Sequence, residues 1–301
     1  MKNATLNLVT EKLKRFLDLF LEEIDYYKKN VINEDIIGFK KYYNNFLNSS
    51  QSKRQFFFNR YIKRLYPFVN LIFNFKNGTP KIIDAGCGFG TESIILAYLG
   101  AEVIGFDLRT QRIEFAKRRV KFYESKLETP LKVTFKNVNI FSEFATVQKQ
   151  FDFILAFESI SHIDPAEDFL KLSHRILKKS GIIVISETNP LNPFAFLHFF
   201  KEHIKYGRQT TMIDPNTKKQ ISYAIEREFR INKLCNLLKI YGFTISNMYP
   251  IGFVSGIKFI PNFISDLLKI DNKILPFESY IEKIPFIRQF AQIYTIISIK
   301  T

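Results

Sequence analysis

The chain has 301 residues, 46% of them hydrophobic and 24% charged, which are values of a globular protein rather than a disordered one. No apolar run approaches the roughly 20 residues that cross a bilayer. The N-terminal MKNATLNLVTEKLKRF interleaves charges where a secretion signal needs an apolar centre, so a cytoplasmic location is expected. Two cysteines, Cys87 and Cys235, are too few and too far apart for a disulfide framework or a metal motif. The net charge of +15 admits an anionic partner or plain compositional drift toward Lys, Asn, Ile, Tyr and Phe.

Residues 1–78 carry helical periodicity. Leu13, Phe16, Leu17, Phe20, Leu21, Ile24 and Tyr27 fall at steps of three and four, on one helix face. A second helix is expected over Glu34–Leu47, and a third from about Ser52, kinked or ended near Pro67. From residue 80 the pattern changes to strand, helix, strand. Strands are expected at 81–85, 102–107, 131–137, 151–157, 181–186, 243–248 and 291–299, as apolar runs suited to a sheet buried on both faces. Between them, 110–124 reads as a helix that turns Ile113, Ala116, Val120 and Tyr123 inward. Another is expected at 165–178, with Asp164 as its cap and Pro165 in its first position. The alternation means an α/β fold: a doubly wound, seven-stranded, mostly parallel sheet over 79–301, preceded by a helical cap over 1–78. Two segments, 189–228 and 250–290, exceed ordinary connections and are expected to wall a substrate pocket.

The first strand runs into DAGCGFG, residues 84–90, and then into a helix. Its glycines, Gly86, Gly88 and Gly90, are spaced G-x-G-x-G, not the G-x-G-x-x-G of a nicotinamide site, and no Lys-Ser/Thr follows to make a phosphate loop. Asp107, followed by Leu108, ends the second strand where an acidic side chain can bond both hydroxyls of an adenosine ribose. Asn139 and Ile140 end the third strand, suited to holding an adenine by one polar and one apolar contact. The fourth strand delivers Phe157 and Glu158 to the same edge.

With these stretches in place, the sequence resembles the class I S-adenosylmethionine-dependent methyltransferases. The resemblance rests on IIDAGCGFGTE, VIGFDLRTQRIEFAKRRV, FDFILAFESISHI and LKKSGIIVISETN, roughly residues 80–190, and on the later EREFRINKLCNLLKIYGFTI. It implies strand order 3-2-1-4-5-7-6 with the seventh strand antiparallel, and S-adenosylmethionine as cofactor. It implies that Gly86, Cys87 and Gly88 lie against the amino-acid end of that cofactor, that Asp84 helps to position this end, and that Asp107 takes the ribose. Asn139 departs from the family pattern, where an Asp is more usual.

Methyl transfer from a sulfonium needs alignment, and a base only if the acceptor arrives protonated. His162 follows the fourth strand and is the base candidate, with Glu158 beside it as the second catalytic candidate. Glu158 and His162 are similar to part of an E-x-x-E-H metal pattern, but Ser161 stands where the second Glu would be, and two ligands at i and i+4 are too few. No metal is expected. Glu187 and Asn189 leave the fifth strand facing the presumed pocket, either to bond a substrate or to fix the start of the insertion. His174, His198 and His203 are read as structural.

The insertion NPFAFLHFFKEHIKYGRQ mixes aromatic and aliphatic residues with Lys201, Lys205 and Arg208. Such a composition suits a lidded pocket for a small hydrophobic or lipid-like acceptor methylated at oxygen. It also leaves open peripheral contact with an anionic membrane, an RNA substrate held on the basic surface, or a non-catalytic cofactor-binding protein.

Overall fold

The structure, a computed structural model, describes residues 2–30, 34–145, 150–253 and 261–301. Four helices come first: α1 (Lys2–Asn30), α2 (Glu34–Tyr42), α3 (Asn44–Leu47) and α4 (Gln51–Phe73). The sheet region opens with β1 (Lys81–Ala85), α5 (Thr91–Tyr98), β2 (Glu102–Phe106), α6 (Thr110–Leu127), β3 (Val133–Lys136) and α7 (Ile140–Glu143). It continues with β4 (Phe151–Phe157), α8 (Ala166–Ile176) and β5 (Leu177–Thr188). After these come α9 (Pro193–Tyr206), the hairpin β6 (Gln209–Ile213) and β7 (Gln220–Ala224), α10 (Ile231–Ile240) and β8 (Phe243–Ile251). The chain ends with α11 (Asn262–Leu268), α12 (Ile270–Ile281), α13 (Pro285–Arg288) and β9 (Ile293–Lys300).

Seven strands form one sheet in the order β3-β2-β1-β4-β5-β9-β8, with β9 antiparallel to both neighbours. This is the expected 3-2-1-4-5-7-6 arrangement. The order reverses between β1 and β4, which places the ligand edge at the carboxyl ends of β1, β2 and β4. Alternate strand residues enter two cores. Ile82, Val103, Phe153, Leu155 and Val184 pack with α1, α4, α5 and α6. Ile83, Phe106, Ile154, Ile183 and Ile296 pack with α8 and α10 on the other face.

The N-terminal helices share the first of these cores. Phe16 stacks on Tyr123 of α6 at 5.2 Å, and Phe68 of α4 meets Phe153 of β4 edge-on at 5.5 Å. A buried ion pair joins them further: Arg119 of α6 donates to both carboxylate oxygens of Glu23 in α1, at 2.6 and 2.8 Å. Its other nitrogen reaches the Phe89 carbonyl and Thr91 Oγ1, which ties α1 to the end of the glycine loop.

Several local expectations are corrected. The helix expected over Glu34–Leu47 breaks at Tyr43 into α2 and α3. Pro67 neither ends nor interrupts α4, because Phe68, Val69 and Ile72 beyond it are buried and packing outweighs one lost backbone bond. Asp164 does not cap α8. Its carboxylate turns to Arg227, Ser222 and Gln209, and α8 stops at Ile176 because Leu177 already pairs with Phe151. Val120 is only half-buried, while Phe115 and Arg119 take the inward positions. Segment 250–290, of which 254–260 lies outside the described residues, forms α11–α13; α11 and α12 pack on α4, where Lys63 pairs with Glu282 at 2.7 Å. Among the described residues, no helix is long and apolar enough to cross a membrane.

Candidate active site

The loop between β1 and α5 is held by its own backbone. The Gly86 and Cys87 N–H groups both donate to the Phe106 carbonyl at 2.8 Å, Gly88 N–H to Asp107 Oδ2 at 3.1 Å, and Gly90 N–H to the Cys87 carbonyl at 2.8 Å. With these four amides occupied, the loop is poorly equipped to cradle a phosphate, which needs free N–H donors. Gly86 has φ +76°, and a Cβ there would lie 2.5 Å from Ser159 Cβ, so only glycine lets the loop rest on the exit of β4. The Cys87 thiol stays neutral, its pKa pushed up by burial and by the carboxylates around it.

Asp107 receives Gly88 N–H on one oxygen and Arg109 N–H on the other at 2.8 Å. Arg112 Nη1 also lies 3.9 Å from Oδ2; a carboxylate offers about four lone-pair sites, so part of it stays open to a ligand's hydroxyls. Asn139 is the N-cap of α7, its side-chain oxygen accepting from Phe141 N–H at 3.0 Å. That oxygen is the expected acceptor from an adenine amino group and keeps one lone pair, while the NH₂ donates to the Asp214 carboxylate of the β6–β7 turn.

Past β4 the chain turns at Glu158, whose φ of +49° is unusual for a non-glycine residue. Glu158 accepts from Arg64 of α4 at 2.9 Å, and the same guanidinium donates to Ser186 Oγ and stacks over Phe157. His162, one turn on, is directed elsewhere. Its Nδ1 lies 3.1 Å from the Ala224 carbonyl, and its ring stacks on Tyr223 at 5.3 Å. Nε2 faces Glu226 Oε1 at 3.6 Å. A carbonyl only accepts, so Nδ1 carries a hydrogen, and whenever the ring is neutral its lone pair lies on Nε2.

The two residues leaving β5 divide their roles. Asn189 is buried and donates to the Gln289 and Ala291 carbonyls, fixing the start of the insertion against the end of α13. Glu187 instead borders the cavity, with one oxygen accepting from Ser161 N–H at 3.2 Å. Burial, reinforced by Glu158 and Glu226, pushes its pKa up to about 8. His203 anchors the Ile225 and Glu226 carbonyls at 3.1 Å, His174 packs edge-on against Phe243, and His198 borders the cavity.

One cavity of about 1590 Å³ brings together Gly86, Cys87, Gly88, Asp107, Leu108, Asn139, Ile140, Phe157, Glu158 and His162. Asp84 and Gly90 are not on it. Asp84 lies behind the loop, where its carboxylate accepts from Ser93 Oγ at 2.6 Å and burial raises its pKa to about 8. Gly90 begins α5, where a Cβ would meet Phe135 at 2.4 Å. Of the two long segments, 189–228 walls the cavity through α9 and the hairpin; 250–290 contributes no wall among the described residues. Tyr223, Glu226, Arg109 and Tyr42 are cavity residues that the sequence reading missed. For Tyr223 and Glu226 a signal existed: Asp214-Pro215-Asn216 is a turn between two short strands, and Asp214 Oδ1 accepts from Asn216 and Thr217 N–H. Among the described residues no group of three His, Cys, Asp or Glu side chains is placed to hold a metal ion.

Ser159 Oγ borders this cavity, buried and without a hydrogen-bond partner among the described residues. Such a group is expected to meet a ligand or water. With four of the loop's amides occupied and part of Asp107 open, it fits a cofactor that carries hydroxyl and amino-acid groups but no phosphate.

The methyltransferase-domain family model matches residues 53–247. The chain is 30% identical over 208 residues to the ubiquinone biosynthesis O-methyltransferase of Pelagibacter ubique, covering 62% of this chain and 81% of that one. It is 33% identical over 132 residues to the protein of the same name from Bartonella quintana, covering 44% of this chain and 47% of that one. Among solved structures, the magnesium protoporphyrin IX methyltransferase of Synechocystis PCC 6803 with bound SAH superposes with a TM-score of 0.54. That match covers 92% of this chain and 97% of the other at 13% identity, a likeness of fold alone. The chain belongs to the methyltransferase-domain family, with the fold of the class I enzymes. It is an S-adenosylmethionine-dependent methyltransferase.

Proposed function

We propose that the protein methylates a hydroxyl group of a small hydrophobic or amphipathic acceptor, with S-adenosylmethionine as donor. When bound, that cofactor supplies a methyl group already activated on a sulfonium. Asp107 holds the ribose hydroxyls, and Asn139 and Ile140 hold the adenine, with Leu108 beside it. Gly86, Cys87, Gly88 and Ser159 receive the amino-acid end. Phe157 and Glu158, the latter held by the buried Arg64, form the floor between the cofactor side and the acceptor side.

The observation that carries the reading is the orientation of His162. Its Nδ1 hydrogen is committed to the Ala224 carbonyl, so the Nε2 lone pair is left to take a proton from an acceptor hydroxyl. Glu226, 3.6 Å from Nε2, stabilises the imidazolium that results, and Tyr223 stacked on the ring holds its plane. Glu187, neutral below about pH 8, donates a hydrogen bond toward the acceptor and adds no charge beside its oxygen. Oxygen as the acceptor atom is supported by the names of the two relatives. An apolar acceptor is supported by the aliphatic and aromatic wall that Phe194, Ala195, Tyr206, Ile221 and Ile225 give the cavity.

The test is incubation of the protein with methyl-labelled S-adenosylmethionine and extract of the source cells, followed by separation into organic-soluble, small polar, RNA and protein pools. Label in the organic pool that is lost with Asp107→Ala supports the reading. Label in RNA, or none in any pool, overturns it.

A further inference from the structure

Helix α9 has two faces of different character. With about 100° between successive residues, Ala195, His198, Phe199, Glu202 and Tyr206 share the side that is buried or borders the cavity. Phe196, Leu197, Phe200 and Ile204 fall within an arc of about 100° on the opposite side. All four are exposed, from 54% for Phe196 to 71% for Ile204. Lys201 flanks that stripe, Lys205 lies between it and the cavity, which it also borders, and Arg208 follows the helix; all three are exposed. A globular helix ordinarily turns its apolar stripe inward, so an outward stripe of this size marks an interaction surface.

The surface continues beyond the helix. Asn192, the N-cap of α9, donates to the Phe290 carbonyl at 2.9 Å, which sets the end of α13 beside the start of α9. Phe286 and Phe290 are exposed there, their rings 6.0 Å apart, with the exposed Arg288 between them in sequence. A largely apolar recess of about 530 Å³ between Leu191, Pro193, Phe196 and Leu197, with Glu228 and Arg230 at its side, deepens the same region.

We propose that this surface seats the protein on an anionic lipid bilayer, with the stripe of α9 in the interface and Lys201, Lys205 and Arg208 at headgroup level. Aromatic and aliphatic side chains flanked by cations are what interfacial helices carry, and their binding combines apolar burial with attraction to anionic lipid. The net charge of +15 decides between occupants: it draws the chain to an anionic surface and opposes face-to-face pairing with a second copy. Because the opposite face of α9 borders the cavity, a lipid-dissolved molecule has one helix to pass.

The test is flotation of the full chain with vesicles of phosphatidylglycerol and phosphatidylcholine in equal parts, against vesicles of phosphatidylcholine alone. Binding to the anionic vesicles is expected, weakened by salt. The Lys201→Gln, Lys205→Gln double variant should bind roughly tenfold or more weakly. The Phe196→Ser, Leu197→Ser, Phe200→Ser triple variant should lose binding with only a small drop in its unfolding midpoint, since each of those side chains is already more than half exposed. Equal binding to both vesicle types, no binding, or binding unchanged in both variants overturns the proposal. So does a concentration-dependent dimer that the triple variant abolishes, which would make a second copy the occupant. No cofactor or acceptor is present in the assay, so its failure is distinct from failure of the methyl-transfer reading.

Discussion

A histidine can be placed in a pocket for packing or for proton transfer, and the hydrogen-bond partner of each nitrogen separates the two. At His162 the ring is immobilised by the Ala224 carbonyl and the Tyr223 ring, which leaves Nε2, beside Glu226, as the nitrogen that can exchange a proton. His162→Gln should leave the Kd for S-adenosylmethionine, measured by calorimetry, within about twofold. The same change should lower kcat by about 10²-fold or more, the range lost with a general base. Glu226→Gln should lower kcat by less and leave KM nearly unchanged, because it removes a charge that counts only once the imidazolium forms. A kcat unchanged in both variants would remove the pair from the chemistry. Asp107 and His162 were legible because strand ends mark the ligand edge of such a sheet. Tyr223 and Glu226 were less so, because the only local mark is the Asp214-Pro215-Asn216 turn, and the strands on either side of it are short and mostly exposed.

At the scale of elements, the sequence was most readable where burial imposes a period. The seven sheet strands fall where their apolar runs lie, whereas the end of α8 and the course of α4 through Pro67 were settled by tertiary contacts that no local signal encodes. The join of α1 to α6 is the sharpest case. Arg119 sits among the inward positions of α6, and a reader of periodicity assigns an arginine to solvent; only the fold supplies Glu23 opposite it. Both side chains are fully buried, so deleting one strands the charge of the other, at a cost of about 3–5 kcal/mol. Glu23→Ala should therefore lower the urea midpoint by an amount equivalent to that range. It should also weaken cofactor binding, because Arg119 holds the Phe89 carbonyl at the end of the glycine loop. A loss of stability with cofactor affinity intact would show that the loop does not depend on α1.

For the whole molecule, strand order and the position of the ligand edge followed from alternation and resemblance, while the electrostatic balance of the interior did not. Two buried carboxyls, Asp84 and Glu187, have their pKa values raised to about 8, in each case chiefly by burial. In the unfolded chain such groups titrate near 4. Between about pH 4 and 8 the native state thus holds protons that the unfolded state has released. Stability then falls as pH rises through that window and levels off above it. Their contribution is fully present at acid pH and lost as each group ionises in the folded protein, the reverse of a salt-bridged carboxylate. The unfolding midpoint of the ligand-free protein, followed from pH 5 to 9, should fall less steeply in Glu187→Gln and in Asp84→Asn than in the unmodified chain. The double variant should be flatter again, since Asp84 lies behind the glycine loop and Glu187 at the end of β5, in separate hydrogen-bonding groups whose effects should add. A slope identical in all four proteins would mean that both carboxyls are ionised and hydrated in the native state, and Glu187 would then face the acceptor as an anion rather than as a donor.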